Sequence, residues 1–186
     1  MKINANNIRT GMVLEHEGRL WRVAKTMHTQ PGKGGAYMQV EMKDIVSGTK
    51  TNIRFRSAET VEKAEMAQRQ MMYLYREGES LNLMNNETYE QLIVDAELAG
   101  EQAKWLQENM MVIVEMHENT PIGITLPATV EVGISQADAS IKGQTANNSF
   151  KNAVADNGAA IMVPAFVNAG DRIKINTEDG TYIERA

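Results

Sequence analysis

Short runs in which apolar and polar residues alternate, broken by turn formers, recur along most of this chain of 186 residues. A period of two suits a strand with one buried face, because successive side chains leave a pleated backbone on opposite sides. "YMQVEMKDIV" sets Met38, Val40 and Met42 against Gln39, Glu41 and Lys43, and "KTNIRFR" sets Ile53 and Phe55 against Arg54 and Arg56. In "GMVLEHEGRLWRV" two short runs flank Glu17-Gly18, a hairpin signal, and "SGT" at 47–49 turns the chain once more. The first third is therefore expected to be a small barrel with one basic face.

The polar run at 57–70 lacks pattern and reads as a connector into a second unit. That unit has strand patterns broken at Glu77-Gly78 and Asn85-Asn86, then "DAELAGEQAKWLQENM", whose composition predicts a helix around 95–108 interrupted by Gly100. "MVIVEMHEN" and "PIGITL" return to strand, and Pro127 ends the unit. Val130, Val132 and Ile134 alternate at the start of a third unit, residues 140–158 read as a long loop or irregular hairpin, and turns are expected at Ala169-Gly170 and Asp179-Gly180. The expectation is an all-β chain of three consecutive units, 1–64, 65–128 and 129–186, each near the lower size limit of a stable core. Strands around one helix suit a barrel of oligonucleotide-binding type in the second, and the methionines and aromatics there are expected in its core.

Charge is uneven. Residues 1–64 carry eleven Lys+Arg and six Asp+Glu, net +5; residues 65–128 carry three and eleven, net −8; the rest carry five and seven, net −2. An acidic total argues against wrapping duplex DNA, while a local positive field is enough to meet a phosphate backbone. The same charge also serves plain solubility. The longest apolar stretches, such as residues 159–167, are too short for a membrane span, and the start has no signal-peptide core, so a cytoplasmic protein without membrane contact is expected. With no cysteine there are no disulfides and no thiolate chemistry, and neither "NET" at 86–88 nor "NNS" at 147–149 is expected to act as a glycosylation sequon.

Enzyme sites fail one by one. His16, His28 and His117 are scattered, without a spacing that would bring two imidazoles to one metal. "PGKGG" lacks the first glycine and the final hydroxyl of a phosphate-binding loop, since Met27 and Gly34 stand at those positions. No G-x-S-x-G elbow occurs, and the acids of "DAELAGE" have no partner marking a catalytic pair. No catalytic residue, metal or cofactor is expected.

"TQPGKGGAYMQV", residues 29–40, is the segment with a chemical point to it. Pro31 stiffens the entry, and Gly32, Gly34 and Gly35 permit positive φ and close approach, so Lys33 stands alone at a slim tip. A flexible stem ending in a compact ammonium can enter a narrow pocket lined by phosphates or carbonyls. The same residues also make an exposed turn with an incidental lysine.

"PGKGGA", "YLYREGESLNLMNNETYEQ" and the run "KNAVADNGAAIMVPAFVNAG" together resemble the bacterial elongation factor P family over the full length. In the last run the family signature is met at Lys151, Ala153, Gly158, Ile161, Val163, Pro164, Val167 and Gly170. The resemblance implies an SH3-like first barrel and two barrels of oligonucleotide-binding type in an L-shaped outline similar to tRNA. It implies a factor that binds the ribosome between the peptidyl and exit tRNA sites and restores peptide-bond formation at consecutive prolines. Lys33 aligns with the tip residue that an enzyme extends in many members, often with β-lysine, and that reaches toward the CCA end of peptidyl-tRNA. The expected partners are thus the ribosome with its RNA, peptidyl-tRNA and a lysine-modifying enzyme, with the chain acting as a monomer. Candidate RNA contacts are Arg54 and Arg56 on the basic face and Lys151, Tyr182 and Arg185 in the last third. The third-domain loop, rich in glycine in many members, departs from the pattern at Asn147, Asn148, Ser149 and Phe150. A different class remains open, a general single-stranded RNA-binding barrel; such proteins stack bases on exposed aromatics, and only 5% of this chain is aromatic.

Overall fold

The computed structural model describes residues 1–139 and 149–186, and among these the regular elements are strands and short 3-10 turns. The first sheet is built from β1 (Lys2–Asn4), β2 (Val13–His16), β3 (Arg19–Thr29), β4 (Tyr37–Asp44), β5 (Lys50–Arg56) and β6 (Thr60–Lys63), in the order β1-β6-β2-β3-β4-β5. The second comprises β7 (Ala67–Glu77), β8 (Ser80–Met84), β9 (Gln91–Asp95), β10 (Met111–His117) and β11 (Thr120–Thr125), in the order β11-β10-β7-β8-β9. The third comprises β12 (Thr129–Ala137), β13 (Phe150–Ala155), β14 (Ala160–Pro164), β15 (Arg172–Asn176) and β16 (Tyr182–Arg185), in the order β14-β13-β12-β15-β16.

Alternation decides which face each strand buries. Met38, Val40 and Met42 on β4 are buried with Leu14, Val23 and Phe55, and Arg54 and Arg56 stand outside. Val130, Val132 and Ile134 are buried on β12. Turn chemistry sets the registers. Glu17 and Gly18 both take positive φ, 51° and 74°, which gives the two-residue turn between β2 and β3. Glu118 and Asn119, at 47° and 65°, do the same between β10 and β11. Pro121 is tolerated in β11 because that strand lies at a sheet edge.

The chain divides into two compact units. The first holds residues 1–67 and the hairpin tip 116–122, whose Ile122 packs with Val13 and Ala64 and whose His117 Nε2 lies 3.3 Å from Glu15 Oε1. The second holds 68–115 and 123–186. Trp105 is its central wedge, only 2% exposed, and a side chain at Gly180 would come within 3.3 Å of the indole. Beside the indole, Asn157 Nδ2 donates to Lys104 O and Gln107 Nε2 donates to Glu131 O, each at 2.6 Å.

Three sequence expectations need correction. No α-helix forms over 95–108; two 3-10 turns, Ala96–Leu98 and Gly100–Trp105, stand there. Gly100 at φ 58° breaks the segment, and neither piece is long enough to offset the cost of helix nucleation. The polar run at 57–70 contains β6 and the start of β7 rather than a bare connector. Val61 is the buried residue of β6, too little to reveal a period, and pairing to β1 and β2 supplies the rest. Part of the expected loop at 140–158 is strand β13, whose inward residues Ala153 and Ala155 are small. Ser149 and Phe150 are described, while Asn147 and Asn148 lie outside the described residues.

Asp44 ends β4 with its side chain turned into the fold. Its Oδ1 accepts from Val46 N at 2.8 Å and Ser47 N at 3.1 Å, and Arg19 Nη1 reaches Oδ2 at 3.4 Å. The Ser47 amide above all holds this carboxyl below the usual 3.8 against the opposing effect of burial. A depressed carboxyl stabilises the fold above its unfolded value and loses that contribution as pH falls through the folded one. The melting-temperature gap between wild type and Asp44→Ala is therefore expected to be full at neutral pH and to shrink as pH falls below 3.8, read by scanning calorimetry. Trp105→Ala is expected to cost about 3–5 kcal/mol in equilibrium denaturation, because nothing nearby fills the space of an indole.

Candidate functional site

β3 and β4 stay paired from Trp21↔Asp44 out to Thr29↔Tyr37, and the loop of residues 30–36 springs from that end. The base of the loop is held by Ser57, just past β5. Ser57 N donates to Ala36 O at 3.0 Å, and Ser57 Oγ lies 3.2 Å from His28 Nε2 on β3. One residue thus ties both sides of the hairpin. Pro31, Gly32, Lys33, Gly34 and Gly35 beyond that clamp are all exposed. Only Gly34 of the three glycines takes positive φ, 128°, so it alone requires glycine on backbone grounds. Gly32 and Gly35 have open space where a side chain would stand. They keep the tip slim without setting its turn. Lys33 makes no ion pair or hydrogen bond among the described residues, so its ammonium is available to an external acceptor.

Beside the loop, the register β4–β5 pairs Tyr37 with Arg56 and Gln39 with Arg54. These four share the outward face, and the Arg54 guanidinium lies over the Tyr37 ring, 4.3 Å from its centre. Such a cation–π contact at an exposed site is worth roughly 0.5–1 kcal/mol. Arg54, Arg56, Tyr37, Gly35, Ala36 and Ser57 line one shallow groove at the loop base. The structure thereby brings Lys33, its supporting loop and two of the five candidate RNA contacts together on the first sheet. No local signal in the sequence marks Tyr37, Ser57 and His28 as contributors to this site. Tyr37 was in principle readable, since residues 37, 39, 54 and 56 share a face once β4 and β5 pair; Ser57 and His28 meet only through the fold.

The other three candidates lie on the third sheet. Lys151 is half-buried on β13, and Tyr182 is half-buried at the start of β16, opposite Ile175. Arg185 donates from Nη2 to Asp171 Oδ2 at 3.2 Å and stands over the Phe166 ring at 5.0 Å, with 56% of its side chain exposed. The Asn168 amide first, then Arg185 with a smaller contribution from Lys151, holds the Asp171 carboxyl below its usual value. Arg185 therefore pairs with a local carboxylate while remaining more than half exposed. Among the described residues, no group of three His, Cys, Asp or Glu is arranged to hold a metal, and no helix is long and apolar enough to cross a membrane.

Comparison with known proteins gives the geometry a context. Residues 4–61 match the elongation factor P KOW-like domain, residues 66–124 the elongation factor P OB domain, and residues 130–185 the elongation factor P C-terminal domain. Elongation factor P of Acidiphilium cryptum is 53% identical over 186 residues, covering 100% of this chain and 99% of the relative. The proteins of that name from Brucella canis, at 52%, and Zymomonas mobilis, at 50%, are each covered over 100% of both chains. Among solved structures, the fold is similar to that of a eukaryotic translation initiation factor 5A from Methanococcus jannaschii, with TM-score 0.55 at 20% identity over 68% of this chain and 94% of that one. With identity of this order across every domain, this chain belongs to the elongation factor P family of translation elongation factors, which are not enzymes.

Proposed function

We propose that this chain binds the ribosome between the peptidyl and exit tRNA sites and promotes peptide-bond formation, relieving stalls at consecutive prolines. The observation that carries the reading is Lys33, a cation with no partner among the described residues, on an exposed loop whose base is clamped from both sides. The three segments 1–64, 65–128 and 129–186 act as its domains, the chain works as a cytoplasmic monomer, and a lysine-modifying enzyme extends the Lys33 amine.

A clamped tip suits this task. Proline fixes φ and makes nascent chain and attacking amine awkward to align. A factor that orders the CCA end of peptidyl-tRNA lowers the entropic part of that barrier without transferring a proton, and positioning alone can supply several kcal/mol. The ribosome keeps the chemistry. Lys33 approaches phosphates and carbonyls of the tRNA end, while Arg54 and Arg56 meet phosphates nearer the loop base. The alternative, a general single-stranded RNA-binding barrel, calls for exposed aromatics on a basic surface; on the basic first sheet Tyr37 is half-buried under Arg54 and Trp21 is buried, while the exposed Tyr75 and Tyr89 stand in the acidic segment 65–128. Recovery of assembled ribosomes rather than bulk mRNA with the chain separates the two.

Lys33→Ala is expected to change stability by no more than about 0.5 kcal/mol, as an exposed loop side chain should. It is expected to abolish most rescue of a reporter with three consecutive prolines and to leave a proline-free reporter unchanged. Lys33→Arg keeps the charge but removes the amine that a β-lysyl extension needs, so it matches Ala where the extension matters and wild type where charge suffices. Rescue by Lys33→Ala equal to wild type overturns the assignment. Replacing Arg54 and Arg56 together by Gln is expected to weaken ribosome binding and to lower its salt slope by roughly one unit per lost phosphate contact.

A further inference from the structure

The second sheet carries an outward row that its core does not use. Tyr75 on β7 stands opposite Asn82 on β8, and Asn82 stands opposite Ile93 on β9. Leu81, Leu83 and Val94, the neighbours of Asn82 and Ile93 in sequence, are buried, so the row faces away from the core. Tyr75 would share the inward face of buried Tyr73 by strict alternation; the register shift between them turns it outward. The ends of the row are exposed apolar side chains, Tyr75 at 54% and Ile93 at 65%. At its centre the Asn82 Nδ2 is buried and has no hydrogen-bond partner among the described residues. Proteins rarely leave a covered donor unpaired, and this one lies between two exposed apolar groups.

Charge says which kind of partner brings an acceptor. The adjacent row puts exposed Glu77 and Asp95 on either side of Ser80, and exposed Glu87 and Glu90 lie in the β8–β9 loop. The nearby cation, Arg76, is already engaged by Gly78 O at 2.7 Å and the Glu79 carboxylate at 3.3 Å. Residues 65–128 together carry net −8. Such a face repels a phosphate backbone, and it repels the same face of a second copy, because a two-fold contact would set acid against acid. We propose that the Tyr75–Asn82–Ile93 face docks a basic polypeptide segment: its apolar side chains cover Tyr75 and Ile93, an oxygen of the segment accepts from Asn82 Nδ2 after rotation about the last side-chain bond, and its cations meet Glu77 and Asp95. This surface is separate from the Lys33 loop and does not depend on the role proposed for it.

The test is amide chemical-shift mapping on the isotopically labelled full chain, titrated with a short peptide of alternating lysine and valine and, separately, with oligouridylate. Peptide-induced shifts are expected to concentrate on 72–77, 80–84 and 91–95. Ile93→Asp is expected to weaken peptide binding by roughly tenfold, the scale of losing one central apolar contact. Asn82→Leu supplies a signature that a purely structural asparagine would not give: the melting temperature holds or rises, because an unpaired amide is gone, while peptide affinity falls. Shifts scattered over the molecule, the same residues responding to oligouridylate instead, concentration-dependent shifts without ligand, or unchanged peptide affinity in Asn82→Leu would each overturn the proposal.

Discussion

The register of β4 between β3 and β5 is the constraint on which the Lys33 loop of this chain depends. Met38, Val40 and Met42 fill the first core from β4, each side chain contributing roughly 1.5–3 kcal/mol through burial. A slip of one residue would turn all three to solvent and bring Gln39, Glu41 and Lys43 inside. The same register puts Tyr37 beneath Arg54, aligns Arg56 with the loop base and carries Ala36 to Ser57. The core thereby fixes the direction of the tip.

How much of this was legible in the sequence depended on whether the signal was local. Strands with clean alternation, such as β4, β5 and β12, could be read directly, and so could the turns at Glu17-Gly18 and Gly170, whose residues accept positive φ. Strand β6 escaped notice because its pairing partners are distant in sequence: β1 lies at the other end of the first sheet's chain segment, and a short polar strand shows no period of its own. The segment 95–108 was misread because Ala, Leu, Glu and Lys favour helix while the packing of Trp105 against the turn at Gly180 holds tighter 3-10 turns. Tertiary context outweighed propensity there.

The candidate site divides along the same line. Lys33 and its glycines stand out in one short stretch, and Arg54 and Arg56 follow from alternation within one strand. The clamp at Ser57 and His28 joins residues 29 positions apart and was silent in the sequence. Arg185, a candidate RNA contact in the sequence, is paired with Asp171, which only the packed third sheet reveals. The surface around Asn82 was likewise hidden, since it depends on a register shift in β7 that no residue type announces.

The proposed role of the Lys33 tip is to work at the end of peptidyl-tRNA by positioning it. Its most direct test replaces Lys33 with a diazirine-bearing lysine analogue and crosslinks the chain on ribosomes stalled at consecutive prolines, followed by sequencing of the RNA adducts. A dominant adduct is expected at the 3′-terminal nucleotides of peptidyl-tRNA; adducts confined to mRNA or to ribosomal RNA distant from the catalytic centre would contradict that role.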